Sequence, residues 1–270
     1  GQALERFPDE GRMALLPLPD NGCALIWTHA PADIRRLQGL SDQAFLQELQ
    51  GVFGYRLGTL QRVGARHVYP LSLVRAEEQV RSNLVVLGNA SVRDTRSMGR
   101  GGPQSGPAGA RSVAAGQALV RTPGHGPGHS VGHQRAMNTV THTNELRADL
   151  VIVGAGMVGS ALALALRDSG LDILLIDGGP LTGKPFDALA PFEARVSALS
   201  MASQRILQRL GAWEGIQARR ANPYRHMSVW DGSGTGQINF SAASVHADTL
   251  GHIVENRVVQ DALLERLQDS

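Results

Sequence analysis

The spacing of apolar and polar positions divides the chain into three regions. Residues 1–90 contain apolar runs separated by turn residues, and residues 137–270 return to that pattern after an interruption. Between them, residues 91–136 keep neither the two-residue period of strands nor the 3.6-residue period of helices. Gly and Pro supply fourteen residues of this middle region, which has no aromatic residue. We therefore predict a linker there, because it cannot bury enough apolar surface to offset its conformational entropy.

The first region has the pattern of a small globular unit. The run MALLPLPDNGCALIWT predicts a β-hairpin, with its turn at Asp20-Asn21-Gly22. The run LSDQAFLQELQGVFG predicts a helix that Ser41 caps and Gly51 ends. The runs RHVYPLSL and SNLVVLGNA predict strands, and the second, being continuously apolar, is typical of a buried parallel strand.

The last region predicts alternating strands and helices. DLVIVGAG and DILLID read as buried strands on either side of a helix at Met157–Ser169, which together make a βαβ unit. SMASQRILQRLG predicts a helix capped by Ser200 and ended by Gly211, and MSVWDGSGTGQINF predicts a strand, a turn and a strand. ENRVVQDALLERL predicts a final helix close to the last residue.

Three glycines lie between the first strand and the helix of this unit. Gly154 permits a tight turn, Gly156 lets a pyrophosphate approach the backbone, and Gly159 lets the helix lie close to the strand. The helix N-terminus offers free N–H groups to phosphates. Asp177 ends the second strand, where a carboxylate accepts hydrogen bonds from an adenosine ribose. This pattern predicts dinucleotide binding and disfavours NADP, but it leaves FAD and NAD both open.

Charge, cysteine and histidine content exclude several classes of function. The chain carries a net charge of +2, yet residues 91–136 alone hold six arginines against one aspartate, so the other regions are acidic. We therefore predict no nucleic-acid partner. The single cysteine, Cys23, fits a core position and a reducing, cytoplasmic compartment. His125, His129 and His133 have helical spacing, but the Gly and Pro residues between them oppose a helix, and we predict no metal site.

The end of the chain resembles a known enzyme family. FEARVSALSMASQRILQRLGAWEGI, VWDGSGTGQINFSA and GHIVENRVVQDALLERL resemble the FAD-dependent aromatic hydroxylases of ubiquinone biosynthesis, in the octaprenylphenol hydroxylase branch, over residues 146–270. The resemblance implies FAD as the cofactor and places Arg195 near the flavin. It also implies FAD contacts from the helix that carries Arg257 and Gln260. A solvated helix face is the alternative interpretation of Arg257.

The beginning of the chain resembles a different part of the same family. ALERFPDEGRMALLPLPDNGCALIW and YPLSLVRAEEQVRSNLVVLGNA are similar to the substrate-domain sheet and the second flavin motif of octaprenyl-methoxyphenol hydroxylase, the sister enzyme. The resemblance implies that Gly88 and Asn89 contact the cofactor. The family continues with a His-Pro and a G-Q-G-x-N loop beside the flavin ring. Here SVRDTRSMGRGGPQ stands in that place, and the two flavin motifs occur in the reverse order.

We therefore expect an α/β protein, with a Rossmann-like FAD-binding βαβ sheet and a partial antiparallel substrate-domain sheet. Residues 1–90 and 137–270 are interpreted as fragments of two sister hydroxylases joined in a non-native order. Residues 91–136 are a linker or a frame-shifted stretch between them. The competing interpretation is a circular permutation of one enzyme.

The resemblance implies a monooxygenase in which NAD(P)H reduces FAD and O₂ hydroxylates the ring of a polyprenyl phenol. It implies no side-chain catalytic triad, peripheral contact with the inner membrane, and other ubiquinone-biosynthesis enzymes as partners. Because the flavin-side loop is absent, we expect the site to be incomplete in this chain. The alternatives are an NAD-dependent oxidoreductase domain and an inactive fused product.

Overall fold

The computed structural model is a mixed α/β structure with parallel and antiparallel strand pairs. It describes residues 1–8, 11–69, 77–86 and 147–269, together with the backbone of short strands at 74–75, 92–93 and 120–122. The strands are β1 Gln2–Phe7, β2 Met13–Pro17, β3 Cys23–Trp27, β4 Val74–Arg75, β5 Val80–Arg81, β6 Leu84–Val85, β7 Val92–Arg93, β8 Val120–Thr122, β9 Leu150–Val153, β10 Ile173–Ile176, β11 Val196–Ser200, β12 Ala221–Tyr224, β13 His226–Asp231, β14 Gln237–Ser241 and β15 Gly251–Glu255. The helices are α1 Pro31–Gly39, α2 Asp42–Phe53, α3 Met157–Ala165, α4 Met201–Arg209, α5 Trp213–Gln217 and α6 Asn256–Gln268.

The largest sheet combines strands from the first and last regions in the order β14-β13-β1-β2-β3. Its central pair, β1 and β13, is parallel, with a register from Gln2 opposite His226 to Phe7 opposite Asp231. The other neighbours in this sheet are antiparallel. The sequence predicted an antiparallel sheet for this part, and the parallel pair is the difference. It arises because β1 and β13 are not joined by a hairpin and come from distant parts of the chain.

The two faces of this sheet have different surroundings. One face carries Leu4, Leu15 and Trp230, which pack against the buried side of α2 at Phe45, Leu49 and Phe53. On the other face, Ala3 packs with Tyr224 and Ile253, so part of it rests against the sheet formed by β11, β15 and β12.

The predicted βαβ unit is present. β9 and β10 are parallel, with Leu150 opposite Ile173, and α3 connects them. β8 adds to the other side of β10 in the antiparallel direction. The prediction that the first strand is fully buried was wrong: Ile152 is buried, but Val151 and Val153 are exposed, because nothing in the described part of the chain covers that face.

The third sheet, β11-β15-β12, leads directly into the final helix. Every residue of β15 is buried, and α6 begins at the next residue. Helix α6 packs on both α3 and α5, and its Val258, Ala262 and Leu263 join one continuous core with α3. This packing brings the start of α6 close to the loop that follows β9.

Several turns and helix ends differ from the sequence prediction in detail. The β2–β3 hairpin has its left-handed residues at Asp20 and Asn21, with φ of 58° and 57°, one position earlier than the Asn-Gly pair suggested. Ser41 caps α2 as predicted, but the helix continues through Gly51 to Phe53. Gly54 ends it because its φ of +84° suits glycine. Ser200 caps α4, and Gly211, at φ +73°, follows its end as predicted.

The predictions of two strands near the end of the first region were also partly wrong. Residues 66–69 of RHVYPLSL have no regular structure, residues 70–73 lie outside the described part of the chain, and β4 follows the run at Val74–Arg75. Leu84 and Val85 are exposed in a hairpin with β5, instead of lying buried in a parallel sheet. Two short strands, β7 and β8, fall inside the segment 91–136, for which no regular structure was predicted.

Candidate functional site

The loop between β9 and α3 is shaped by two glycines. Gly154 has φ +104°, in the region that favours glycine, and its N–H donates to Ile176 O at 2.6 Å. A Cβ on Gly159 would lie 1.8 Å from Gly154 O, so only glycine lets α3 approach the loop this closely. The protein's own backbone therefore requires glycine at both positions.

Gly156 differs from these two glycines. It is the N-cap of α3, with φ −69°, and a Cβ built on it would meet nothing within 4 Å. Neither backbone strain nor an internal contact therefore explains glycine at this position. The open space lies at the N-terminus of α3, where free N–H groups and the helix dipole favour an anion. The loop thus has room for a phosphate group beside its backbone.

Asp177 lies beside this loop and is bound to it. Its Oδ2 accepts a hydrogen bond from Ala155 N at 2.7 Å, and its Oδ1 accepts one from Gly179 N at 2.8 Å. The carboxylate therefore ties the glycine loop to the end of β10, a role that the sequence did not predict. Its contact with a ribose stays a prediction.

Gln260 brings α6 to the same loop. Its Nε2 donates to Ala155 O at 2.9 Å, and the buried Ser160 Oγ donates to the same oxygen at 3.0 Å. Two residues far apart in the sequence thus hold Ala155 between Gly154 and Gly156. The structure places the predicted site residue Gln260 in direct contact with the glycine loop.

Arg195 and Arg257 lie where β11 and α6 begin. Asn256 N donates to Arg195 O at 3.0 Å, which joins the two segments. The Arg257 Nε is 3.2 Å from Glu193 Oε1, and the Arg195 guanidinium lies over the Tyr69 ring at 5.0 Å. Both arginines have protein partners, and their flavin contacts stay predictions. Gly88 and Asn89 lie outside the described residues, as do His125, His129 and His133.

A buried ion pair lies behind these arginines. Glu255 is 2% exposed; its Oε1 accepts from Glu193 N at 2.7 Å, and its Oε2 lies 3.5 Å from Arg220 Nη1. Arg220 also donates to Ala188 O at 2.6 Å and to Ala190 O at 2.5 Å. The pair therefore fixes the backbone before Arg195. Sequence reasoning missed it, although a glutamate at the end of an apolar strand was a usable signal.

Two titratable groups, His252 in β15 and Asp261 in α6, have shifted pKa values. Burial raises the pKa of Asp261, whose Oδ1 accepts a hydrogen bond from Lys184 N at 3.3 Å. Burial lowers the pKa of His252, which meets the Trp213 ring edge-on at 4.9 Å. Both shifts disfavour the charged form, as expected in a low-dielectric interior.

The described residues contain neither a helix long and apolar enough to cross a membrane nor a cluster of three or more His, Cys, Asp or Glu residues suited to a metal ion.

Comparison with known proteins finds relatives but no matching family model. The 3-demethoxyubiquinol 3-hydroxylase of Escherichia coli is 40% identical over 120 residues, which is 44% of this chain and 30% of that protein. The mitochondrial ubiquinone biosynthesis monooxygenase COQ6 of Xenopus tropicalis is 40% identical over 125 residues, 44% of this chain and 26% of that protein. The ubiquinone hydroxylase UbiL of Rhodospirillum rubrum is 34% identical over 134 residues, 49% of this chain and 30% of that protein.

These relatives confirm the predicted similarity to the ubiquinone hydroxylases. The matches span less than a third of the length of each relative, and about half of this chain or slightly less.

Proposed function

We propose that residues 137–270 are the FAD-binding, Rossmann-like part of a ubiquinone-biosynthesis hydroxylase. The observation that carries this proposal is the contrast among the three loop glycines. Gly154 and Gly159 are required by the protein itself, whereas Gly156 leaves an open space that a bound phosphate explains. The names of the relatives support the same conclusion, since they are hydroxylases or monooxygenases of ubiquinone metabolism.

The residues present fit FAD at the adenosine and pyrophosphate end. The N-terminus of α3 would hold the pyrophosphate, Asp177 the adenosine ribose, and Gln260 would keep the loop in place. Arg195 and Arg257 would approach the flavin side. When bound, FAD supplies the transfer of electrons from NAD(P)H to O₂ that ring hydroxylation needs.

Gly88 and Asn89 would add a second contact from the first region. We further propose that residues 1–90 derive from the sister enzyme and that residues 91–136 join the two fragments. Resequencing the coding DNA from codon 80 to codon 150 in all frames tests it. A His-Pro and G-Q-G-x-N loop restored in another frame supports two joined genes, and a confirmed frame supports a true fusion.

We propose a surface of the five-stranded sheet as the place for the tail of a polyprenyl phenol. Ile26, Ile238 and Phe240 are exposed and apolar. The pairing register places them on the face that carries Ala3, because Ile26 and Ile238 share a row across Ala14, Glu5 and Val229. Val196, next to Arg195, packs at the Ala3 end of this face. The proposed substrate tail would thus lie on the side of the sheet that meets the strand after Arg195.

Cofactor retention tests the proposal. The purified chain is incubated with FAD and passed through gel filtration, and flavin absorbance is read in the protein peak. We expect FAD to stay with the wild-type protein and to be lost from Gly156→Val, whose side chain fills the open space. Gly51→Val is the matched control, because a Cβ on Gly51 also meets nothing within 4 Å, but this residue lies in α2, far along the chain. A protein peak without flavin would contradict the proposal.

An NADH arm separates the competing NAD-dependent function. If the glycine loop belongs to an NAD domain, the chain quenches or shifts NADH fluorescence in the absence of flavin, and Gly156→Val abolishes that change. Retention of FAD without an effect on NADH fluorescence supports the flavoprotein.

A further inference from the structure

We infer that residues 1–69 and residues 147–269 are complementary modules, held together by non-covalent contacts strong enough to survive cutting of the chain between them. In the second module the interaction surface is the edge of β13. Its partner is the first module, residues 1–69, which contains β1, the β2–β3 hairpin and helices α1 and α2. The association of the two modules requires no cofactor and is independent of the proposed function.

Backbone pairing joins the modules along the full length of β1. The parallel register runs from Gln2 to Phe7 on one side and from His226 to Asp231 on the other. Two further hydrogen bonds close the ends of the pair: Arg225 N donates to Gly1 O at 2.9 Å, and Gly232 N donates to Phe7 O at 2.7 Å. Without the first module, these groups of β13 would form an unpaired inner edge.

Side chains seal the same junction. Trp230 is buried in the core of the first module, where its ring lies 5.7 Å from that of Phe53. Asn222 Nδ2 donates to Pro17 O at 2.8 Å, and Gln2 Nε2 donates to Ser228 Oγ at 3.1 Å. The second module therefore buries an aromatic side chain in the first module and satisfies polar groups across the junction.

Gly232 shows how closely the two modules fit. A Cβ on this residue would lie 2.4 Å from Pro8 Cα and 2.7 Å from Phe7 O. Such an approach of two backbones leaves no room for a side chain. Gly236, four residues later, would place its Cβ no closer than 3.9 Å to the nearest atom, Asp231 Cβ. A side chain at Gly232 should therefore disrupt the junction, and the same side chain at Gly236, in the same turn, is the matched control.

Cleavage of the folded chain tests the inference directly. A recognition sequence for a site-specific protease is inserted between residues 104 and 118, and the full chain is purified, cut and passed through gel filtration. We expect both fragments to elute together at the volume of the uncut chain. Gly232→Val should release the fragments after cutting, and Gly236→Val should keep them together. Fragments that separate or aggregate in the otherwise unchanged chain would overturn the inference.

A disulfide test of the register covers the case in which Gly232→Val fails to fold. In a Cys23→Ser background, Gln2→Cys is combined with His226→Cys, its partner in the parallel pair. Neighbouring strands lie about 4.8 Å apart, within disulfide range, so oxidation should link the cut fragments on a non-reducing gel. Gln2→Cys with Met227→Cys should not link them, because adjacent strand residues point to opposite faces. Equal linkage in both pairs, or none in the first, would count against the inference.

Discussion

The βαβ unit and the five-stranded sheet are built from contacts of very different range. In the βαβ unit, Asp177 reaches Ala155 across 22 positions of sequence. In the five-stranded sheet, Gln2 reaches Ser228 and Arg6 reaches Gly232 across 226 positions each. The entropic cost of closing a loop rises only slowly with loop length, so a folded chain can form contacts of both ranges. Only the short-range kind, however, leaves a motif that the sequence displays.

The comparison also separates two structural reasons for a glycine. In the βαβ unit, Gly154 and Gly159 serve contacts within one supersecondary motif. In the sheet, Gly232 serves a contact between modules at opposite ends of the chain, and no motif marks it. The residue type is the same, but its purpose depends on what lies opposite.

The largest expected effect comes from removing the aromatic anchor of the sheet. Trp230→Ala should lower the free energy of unfolding by about 3–5 kcal/mol, because it empties a buried site beside Phe53 and Leu4. Urea unfolding followed by far-UV circular dichroism measures it. Exposed Tyr55→Ala in the adjacent turn is the control. A loss as small as that of the control would mean that the two modules do not share a core.

Glu255, the last residue of β15, pairs with Arg220 and binds the backbone before Arg195. Glu255→Ala should cost about 3 kcal/mol or more, since it leaves Arg220 largely buried without its partner. Glu255→Gln should cost less, because its side-chain oxygen still accepts from Glu193 N. The measurement is urea unfolding combined with the FAD affinity of each variant. Equal losses for the two variants would argue that charge alone, and not the hydrogen bond, holds the segment before Arg195.

The two kinds of glycine in the loop should respond differently to alanine. Gly159→Ala should destabilise the protein by about 1–3 kcal/mol, because α3 must move away from Gly154 O. Gly156→Ala should change stability by less than about 1 kcal/mol, since its Cβ meets open space and alanine is only a poorer N-cap. Thermal unfolding of the two variants side by side checks the order. Its reversal would remove the steric basis of the cofactor proposal.

The smallest effect concerns pH. Burial lowers the pKa of His252, so the folded protein keeps it neutral at a pH where the unfolded chain, with a pKa of about 6.5, already binds a proton. Stability therefore falls as pH drops below about 6.5, by at most about 1.4 kcal/mol per pH unit for one proton. The free energy of unfolding of wild type and His252→Leu, measured from pH 8 to pH 5, should differ in slope only below that value. Parallel curves would exclude His252 as the source.

Local pattern was sufficient for most of the helices and for the candidate loop. Ser41 and Ser200 were recognisable caps, and Gly154, Gly156 and Gly159 predicted a strand–turn–helix that is present. The apolar pattern did not predict burial correctly where burial depends on the surrounding structure. Leu84 and Val85 are as apolar as a core strand, yet they lie exposed in a hairpin, because apolar composition does not reveal what covers a strand.

The sequence alone determined the periodic elements, the glycine loop with its acidic residue, and the similarity to ubiquinone hydroxylases. Only the tertiary structure decided that β1 lies parallel to β13, that Glu255 pairs with Arg220, and that Asp177 holds the loop through Ala155 N. The reason is the range of the interactions. Periodicity, helix capping and turns depend on residues that are neighbours in the sequence. Strand register and the pairing of buried charges depend on which distant parts of the chain come into contact.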